Sequence, residues 1–432
     1  MAKRGVKLIR DIGLVAASLI VLNAVMGAGI FGMPGKLAEQ AGQYSPWLIL
    51  LFGALIITVA WTFGSIASYF KTTGGPVTYA SYAFGPLVGF QVGWLFYFGR
   101  AASLAANINV IFNYMAYFWD GIANDYIRTA MFIFIIVGLT FINIIGVRAA
   151  IKSLNIISIF KFLPILVLIL VGLPYISPNG FLPSNFPVID DVGTLVLLIL
   201  YAFVGFESVL FTTEETKNPT KTLPRALIIN VIVIAVVYFL IQMIYVNVVT
   251  ESSNDVPLIA LGQILMGGAG VVIVIISAIF SILGSASGII LSAPRMTYSL
   301  AEQGLLPKWF CIVHEEYRTP TNSILFLAAT ALFLGITGTF IYLAMASALA
   351  RMMGYVICIL ALPVIRKQAD KETLDNAVKL PGGFLIPGLA LFVCFIAAYF
   401  SPLLSWIYLS GFLAIGGLLY FANYLYKKRT AD

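Results

Sequence analysis

Two short stretches of the sequence combine helix-breaking residues with polar groups that could bind a small molecule. "NAVMGAGIFGMP", which begins at Asn23, contains three glycines and a proline. "YAFVGFE", which ends at Glu207, contains Gly205 two residues before that carboxylate. Where glycine or proline interrupts a helix, backbone N–H and C=O groups lose their intrahelical partners and can bind a ligand instead.

These freed groups fit the two charges of a zwitterion. The half-helix that starts after Gly29 would present free N–H groups and the positive end of its dipole, and both suit a carboxylate. The freed carbonyls of Val25, Tyr201 and Val204 could accept hydrogen bonds from an ammonium. A molecule with a carboxylate and an ammonium on adjacent carbons fits this arrangement, so the residues point to an α-amino acid.

The composition predicts that the breaks lie inside a membrane. Hydrophobic residues make up 61% of the 432 residues, charged residues make up only 10%, and the mean hydropathy is +1.00. A soluble domain of this size could not cover its surface with so few charges. Apolar runs of roughly 20 residues recur along the chain, and each can cross about 30 Å of hydrocarbon. We therefore predict an all-α membrane protein that crosses the bilayer many times.

The apolar runs predict twelve transmembrane helices in a single transporter domain, residues 1–432. They cover residues 12–33, 44–70, 84–118, 128–146, 153–175, 192–213, 224–249, 258–300, 322–337, 339–365, 384–400 and 403–426. The third and eighth are long enough to tilt or to include a short interfacial helix. The two breaks fall in helices 1 and 6, five helices apart, which is typical of inverted-repeat transporters with a site at the membrane midplane. The first repeat then covers about 12–176, the second about 190–366, and two extra helices about 384–426.

The loop charges predict the orientation of the chain. Lys and Arg are concentrated in the N-terminal "MAKRGVKLIR", in alternate loops such as "KNPTKTLPR" and in the C-terminal "YKKRTAD". The intervening "SPNGFLPSNFPVIDD" and "ESSND" carry only acidic charges. Because loops rich in Lys and Arg stay in the cytoplasm, we predict that both termini are cytoplasmic and that the protein lies in the plasma (inner) membrane. The pI of about 9.1 fits loops that face anionic lipid and requires no nucleic-acid partner.

Three motifs resemble those of one transporter superfamily. "GAGIFGMP", "FVGFESVLFTTEETKNPTKTLPRA" and "RMTYSLAEQGLLPKWF" resemble, in order and spacing, signatures of the amino acid–polyamine–organocation superfamily. The resemblance implies two inverted five-helix repeats with two extra helices, and amino-acid transport by alternating access. It also implies that the amides of Gly27, Ala28 and Gly29 hold the substrate carboxylate and that Tyr201 is an aromatic residue that closes over the substrate.

Lys161 is a charged residue deep inside the fifth predicted helix, where an ionisable group is a functional candidate. It resembles a lysine of sodium-independent relatives, whose ammonium takes the place of the sodium ion that other members of the fold bind. A fixed cation there would make sodium binding unfavourable. Ser285 is the expected hydroxyl neighbour, with Ser281 and Ser287 as alternatives. Burial disfavours the charged ammonium, so proton coupling through Lys161 remains an alternative.

Three further charged residues lie at membrane depth. Glu207 resembles a glutamate that relatives use to couple protons or to brace the unwound segment, and we favour bracing because free N–H groups keep a carboxylate ionised. Arg100 resembles an arginine in the light chains of heteromeric amino acid exchangers, and Arg351 resembles one in the cystine/glutamate exchanger of that group. Two guanidiniums in one pocket would favour an acidic side chain. Arg351 carries most of this interpretation, because relatives for neutral amino acids also have the first arginine.

Several alternatives stay open or are disfavoured. A polyamine or cationic amino acid carrier of the same fold would need acidic side chains in the pocket. A channel would need filter-like polar repeats in symmetric subunits, and an enzyme would need a catalytic or metal-ligand constellation, neither of which the sequence contains. We expect no cofactor and no metal, and either a monomer or a homodimer. The loop "DGIAND" has no cysteine, so no disulfide-linked heavy chain is expected.

Overall fold

The computed structural model describes residues 10–70, 75–145, 148–177, 191–250 and 256–431. The helices of the first half are α1 Leu14–Val25, α2 Gly29–Gly32, α3 Pro34–Ala41, α4 Ser45–Ala67, α5 Pro76–Phe84, α6 Pro86–Ala116, α7 Asp125–Ile145 and α8 Arg148–Gly172. Those of the second half are α9 Val192–Phe203, α10 Pro219–Val248, α11 Pro257–Glu302, α12 Thr321–Thr337, α13 Phe340–Gln368, α14 Lys371–Asn376, α15 Leu385–Tyr399 and α16 Leu403–Ala431. Short 3₁₀ segments cover Gly42–Tyr44, Asp120–Ala123, Leu173–Tyr175, Phe206–Glu215 and Lys308–Cys311.

The described helices confirm an all-α chain that crosses a membrane many times. Nine helical stretches among the described residues are long and apolar enough to cross a bilayer, and three shorter apolar helices are Phe160–Tyr175, Thr321–Thr337 and Leu385–Tyr399. The predicted apolar runs coincide with these helices to within a few residues at most ends. The count of twelve transmembrane helices and their arrangement as two repeats stay predictions.

The long helices α6 and α11 form the centre of the bundle. Helix α6 is buried over nearly all of its length from Gly89 to Phe112, as expected for a helix that is largely apolar on every side. Its few polar residues are therefore buried as well, and several of them lie at the site described below. Helix α11 bends at Gly267, whose φ of +60° is a conformation that favours glycine. The bend confirms that this long apolar run includes a separate short helix.

Both predicted breaks are present. Helix α1 ends at Val25 and the next helical residue is Gly29, so three residues leave the helix. Helix α9 ends at Phe203, after which Val204 is extended and Gly205 has a φ of +117°. Only glycine adopts that φ without strain, which explains the residue type at the second break.

The residues before α1 pair with the residues that follow the second broken helix. The backbone N–H of Ile12 donates to the carbonyl of Glu215 at 2.9 Å, and the N–H of Lys217 donates to the carbonyl of Ile12 at 2.9 Å. Beside them Lys217 Nζ lies 2.8 Å from the carboxylate of Asp11. This hydrogen bond and the charge of Lys217 lower the pKa of the exposed Asp11 carboxyl. The backbone pairing therefore joins the outer ends of the two broken helices.

Candidate functional site

The two breaks lie against each other in the middle of the bundle. A Cβ added to Gly29 would lie 3.1 Å from Cα of Ala202, and one added to Gly205 would lie 2.6 Å from the carbonyl oxygen of Ala24. Each glycine therefore allows the backbones of the two broken helices to touch, and a larger residue would push them apart. Gly29, whose amide is expected to hold a substrate carboxylate, therefore also has a packing role.

A cavity of about 1390 Å³ opens from the breaks toward one end of the bundle. Nine of the predicted site residues line it, namely Val25, Gly27, Ala28, Gly29, Arg100, Tyr201, Val204, Ser285 and Arg351. The mouth of the cavity lies among Asp11, Glu215 and Gln303. Asp11 precedes α1, Glu215 ends the 3₁₀ segment after the second break, and Gln303 follows α11. The other two predicted residues, Lys161 and Glu207, are fully buried beside the cavity.

Asn107 of α6 connects the first break to its surroundings, and the sequence analysis missed it. Its Oδ1 accepts a hydrogen bond from the N–H of Ala28 at 3.1 Å, and its Nδ2 donates to Ser285 Oγ at 3.2 Å. The hydroxyl of Tyr201 donates to the same Oδ1 at 3.5 Å. One side chain thus holds the first break, α9 and α11 together. An amide in the apolar run "SLAANIN" was the available signal, because a buried amide requires partners.

Two of the backbone groups expected to be free have partners inside the protein. The N–H of Ala28 is bound to Asn107, and the N–H of Gly27 donates to the carbonyl of Val25 at 2.9 Å. A carbonyl has two lone pairs, so Val25 can still accept from a ligand. Of the three amides predicted to hold a carboxylate, Gly29 is the one that begins a helix, α2.

Tyr201 lies at the closed end of the cavity. Its ring packs on Phe340 with 6.0 Å between ring centroids, and Phe340 in turn covers Gly32, where an added Cβ would lie 2.6 Å from the ring. Beyond Phe340 a second cavity of about 750 Å³ contains Asn109 and Arg128 in its wall. The two aromatic rings therefore stand between a cavity that opens at one end of the bundle and a cavity on their other side.

Lys161 binds the first broken helix. Its Nζ donates to the carbonyl of Asn23 at 3.3 Å, in the last turn of α1, where a positive charge is favoured by the helix dipole. Ser281 Oγ donates to the carbonyl of Met26 at 3.2 Å in the same region. Ser285, the expected neighbour of Lys161, is instead hydrogen-bonded to Asn107. Among the described residues, a backbone carbonyl and not a hydroxyl therefore receives the hydrogen bond of this ammonium.

Glu207 is bound to the second break. Its Oε2 accepts hydrogen bonds from the N–H of Gly205 at 3.0 Å and from the hydroxyl of Tyr355 at 2.7 Å. Its Oε1 lies 3.7 Å from Nε of Arg351. The carboxylate therefore compensates a backbone donor that the break exposes, an arrangement that suits the bracing role. The partners Tyr355 and Arg351 both come from α13.

The two guanidiniums of the cavity have different partners. Arg351 lies beside Glu207, and its Nη2 also donates to Ser103 Oγ at 3.3 Å. Arg100 donates to two neutral hydroxyls, Ser292 Oγ at 2.5 Å and Ser208 Oγ at 2.9 Å. Both arginines are 4% exposed, and within the described part of the chain Arg351 has a carboxylate partner whereas Arg100 has none. Glu207 is therefore the direct partner of Arg351, and its charge acts on Arg100 only from beyond 4 Å.

Comparisons with known proteins match one family model and several transporters. The sequence pattern of a family described as "Amino acid permease" matches residues 12–422. The branched-chain amino acid permease BcaP of Bacillus subtilis is 25% identical, over 97% of this chain and 93% of its own. The serine/threonine exchanger SteT of the same organism is 27% identical, over 86% of each chain. The b(0,+)-type amino acid transporter 1 of Mus musculus is 25% identical, over 97% of this chain and 88% of its own.

Proposed function

The chain belongs to the amino acid permease family, and on that premise we propose that it is a sodium-independent secondary transporter of L-amino acids, either an exchanger or a proton symporter. The observation that carries the proposal is the meeting of the two breaks at the closed end of one large cavity. Non-helical backbone at membrane depth is tolerated where it lines a cavity, and there it offers its polar groups to a ligand.

The backbone of the amino acid would bind at the breaks. The α-carboxylate would lie at the Gly27–Gly29 turn, where α2 begins and its first N–H groups have no acceptor within the helix. The α-ammonium would lie among the carbonyls of Val25, Tyr201 and Val204. Tyr201 would cover the bound molecule on the side of Phe340.

Transport would proceed by alternating access in a chain of two inverted five-helix repeats, about 12–176 and 190–366, followed by two extra helices, about 384–426. The breaks at corresponding positions of the two halves support this arrangement. If both termini are cytoplasmic, the cavity mouth beside Asp11 faces the cytoplasm, and the second cavity beyond Phe340 faces outward. The aromatic pair Tyr201 and Phe340 would then separate the two sides.

Lys161 would replace a coupling cation. Its buried ammonium already occupies the carbonyl of Asn23 at the end of α1, so a sodium ion there would meet a fixed positive charge. The alternative is that Lys161 couples transport to protons. An uptake assay with and without a proton gradient distinguishes proton coupling from exchange. Glu207 would brace the second break through Gly205.

Acidic side chains would be preferred over cationic ones. Arg100 supports this preference more than Arg351 does, because Glu207 is the direct partner of Arg351 and acts on Arg100 only from beyond 4 Å. A polyamine or cationic amino acid would meet the buried guanidinium of Arg100 in the same cavity, which disfavours that alternative. We expect a monomer or homodimer without a disulfide-linked heavy chain, since the loop "DGIAND" offers no cysteine.

Uptake by the purified protein in liposomes tests the function. Labelled amino acids are offered with sodium, potassium or choline outside, with and without amino acid inside, and with and without a proton gradient. We expect saturable uptake that is the same with all three cations and is stimulated either by internal amino acid or by the gradient. Saturable sodium dependence would refute the role of Lys161, and transport of polyamines alone would refute the amino-acid substrate.

A further inference from the structure

The C-terminal helix α16 is attached to the rim of the cavity mouth. The buried side chain of Asn423 donates a hydrogen bond from Nδ2 to the carbonyl of Gly304 at 2.8 Å. A Cβ added to Gly304 would collide with Nζ of Lys427, so this ammonium lies against the glycine. Gly304 directly follows Gln303, which lines the mouth. The end of α16 therefore packs on the residue that continues the cavity wall.

Exposed basic residues are concentrated around this contact. They lie in the last two turns of α16 and in the segment that follows α11, and we call them the basic rim: Lys308, Lys427, Lys428 and Arg429. Lys308, Lys428 and Arg429 form no ion pair with a carboxylate of the described residues. Glu302, the acidic residue that ends α11, accepts a hydrogen bond from the hydroxyl of Tyr298 at 2.8 Å. The rim therefore presents a net positive charge beside the cavity mouth.

The length of α16 places the basic rim at the level of the lipid headgroups. The helix has 29 residues and is therefore about 43 Å long, whereas the hydrocarbon core of a bilayer is about 30 Å thick. Tyr and Trp favour the boundary between hydrocarbon and headgroups, and Trp309, Tyr424 and Tyr426, which adjoin the rim in the sequence, are 47%, 58% and 65% exposed. Cations and exposed amphipathic rings at this depth suit the phosphate of an anionic lipid.

We propose that the basic rim binds the phosphate headgroup of an anionic phospholipid, which keeps the end of α16 packed on Gly304 and thereby sets the rate of transport. The binding site does not depend on what the protein transports, whereas the effect on rate rests on the proposed function. Because Gln303 and Gly304 are consecutive, loosening α16 disturbs the cavity wall at its mouth. Loss of the lipid should therefore slow the transport of all amino acids alike.

Thermal melting of the purified protein in a neutral detergent measures the binding. Phosphatidylglycerol, phosphatidylcholine or inorganic phosphate is added, and we expect only phosphatidylglycerol to raise the melting temperature in a saturable way. The double variant Lys428→Gln/Arg429→Gln removes two charges of the rim and leaves the contacts of Asn423 and Lys427 with Gly304 in place. One basic residue near an anionic lipid contributes about fivefold in affinity, so this variant should need about 25-fold more phosphatidylglycerol for the same shift.

A second double variant, Lys367→Gln/Lys371→Gln, is the matched control. Both residues are exposed, and they lie at the same end of the bundle because α12 leads away from the mouth and α13 returns. The control should respond to phosphatidylglycerol as the wild type does. In liposomes, the initial rate of amino-acid uptake should rise with the fraction of phosphatidylglycerol in the wild type and the control, and should rise far less in Lys428→Gln/Arg429→Gln.

The possible results separate the lipid site from the proposed function. Equal stabilisation by the two lipids, equal stabilisation by inorganic phosphate, or equal loss in both double variants overturns the lipid site. Melting that depends on phosphatidylglycerol while the uptake rate does not overturns the effect on transport. Stabilisation through the basic rim in a protein that takes up no amino acid overturns the proposed function and leaves the lipid site intact. If Lys428→Gln/Arg429→Gln does not fold, as judged by its elution profile, the shift of about fivefold expected for Lys308→Gln decides the matter.

Discussion

Replacing Arg100 by glutamine should selectively weaken acidic substrates. The guanidinium is 4% exposed and binds two neutral hydroxyls, and no carboxylate of the described residues lies within 4 Å of it. Its charge is therefore available to a substrate carboxylate. Losing one partner of a buried charged hydrogen bond costs at least about 2 kcal/mol, which is about thirtyfold in affinity. Glutamine is two bonds shorter and does not reach Ser208 and Ser292, but both are neutral hydroxyls, so the substitution removes no direct partner from a buried charge.

Substitution of the second arginine should have a different effect. Removing Arg351 leaves the buried carboxylate of Glu207 without its cation, 3.7 Å away in the wild type. Breaking a buried ion pair from one side costs about 3–5 kcal/mol of stability. Arg351→Gln should therefore melt at a lower temperature and weaken all amino acids alike, because Glu207 also holds the second break through Gly205.

Competition assays measure these effects, with glutamate, glutamine, alanine and lysine as competitors. They compare the wild type with Arg100→Gln, Arg100→Lys and Arg351→Gln. Arg100→Gln should lose glutamate by at least about thirtyfold and retain glutamine and alanine within a few-fold. Arg100→Lys should recover part of the loss, since it keeps the charge but not the planar fork of donors. The reasoning is refuted if Arg100→Gln weakens all four competitors equally, or if lysine competes best in the wild type.

Three further substitutions test the remaining contacts. Asn107→Leu leaves the buried N–H of Ala28 without an acceptor, at a cost of about 1–3 kcal/mol, and should raise KM about tenfold for every amino acid; an unchanged KM would contradict the role of this amide. Lys161→Ala should slow transport, because the carbonyl of Asn23 loses its ammonium partner, while wild-type initial rates stay equal in sodium, potassium and choline. Gly205→Ala should lower the melting temperature strongly, because its φ is +117° and its Cβ would lie 2.6 Å from a backbone carbonyl; normal melting would contradict the observed contact of the two breaks.

The breaks could be predicted from the sequence because glycine and proline at membrane depth are rare signals that act locally. Gly205 shows this most clearly, since its residue type, its φ and its close contact with the first broken helix agree. The hydropathy pattern likewise located the apolar helices, because the bilayer fixes their length. In both cases the physical cause lies within a few residues of the chain.

Partner choice could not be predicted in the same way. Asn107 and Ala28 are 79 positions apart, and nothing in either local sequence shows that they meet. The same limit explains why the sequence suggests Lys161 as the partner of Ser285, whereas the fold brings Ser285 to Asn107. A charge count along the chain treats both arginines alike, whereas the fold places the Glu207 carboxylate within 4 Å of Arg351 only.

The pairing of Ile12 with the residues that follow the second broken helix has a mechanical consequence. The segment Leu14–Val25 and the segment Phe206–Glu215 touch through backbone at the breaks, and at their outer ends they share two backbone hydrogen bonds, Ile12 to Glu215 and Lys217 to Ile12. Two segments joined at both ends cannot separate without breaking these contacts. If the carrier works by alternating access as proposed, we expect the two segments to move together relative to α6 and α11. Because the pairing at the outer ends uses main-chain atoms, most side-chain changes at Ile12, Glu215 and Lys217 leave it intact. Lys217→Pro would remove one of its two N–H donors.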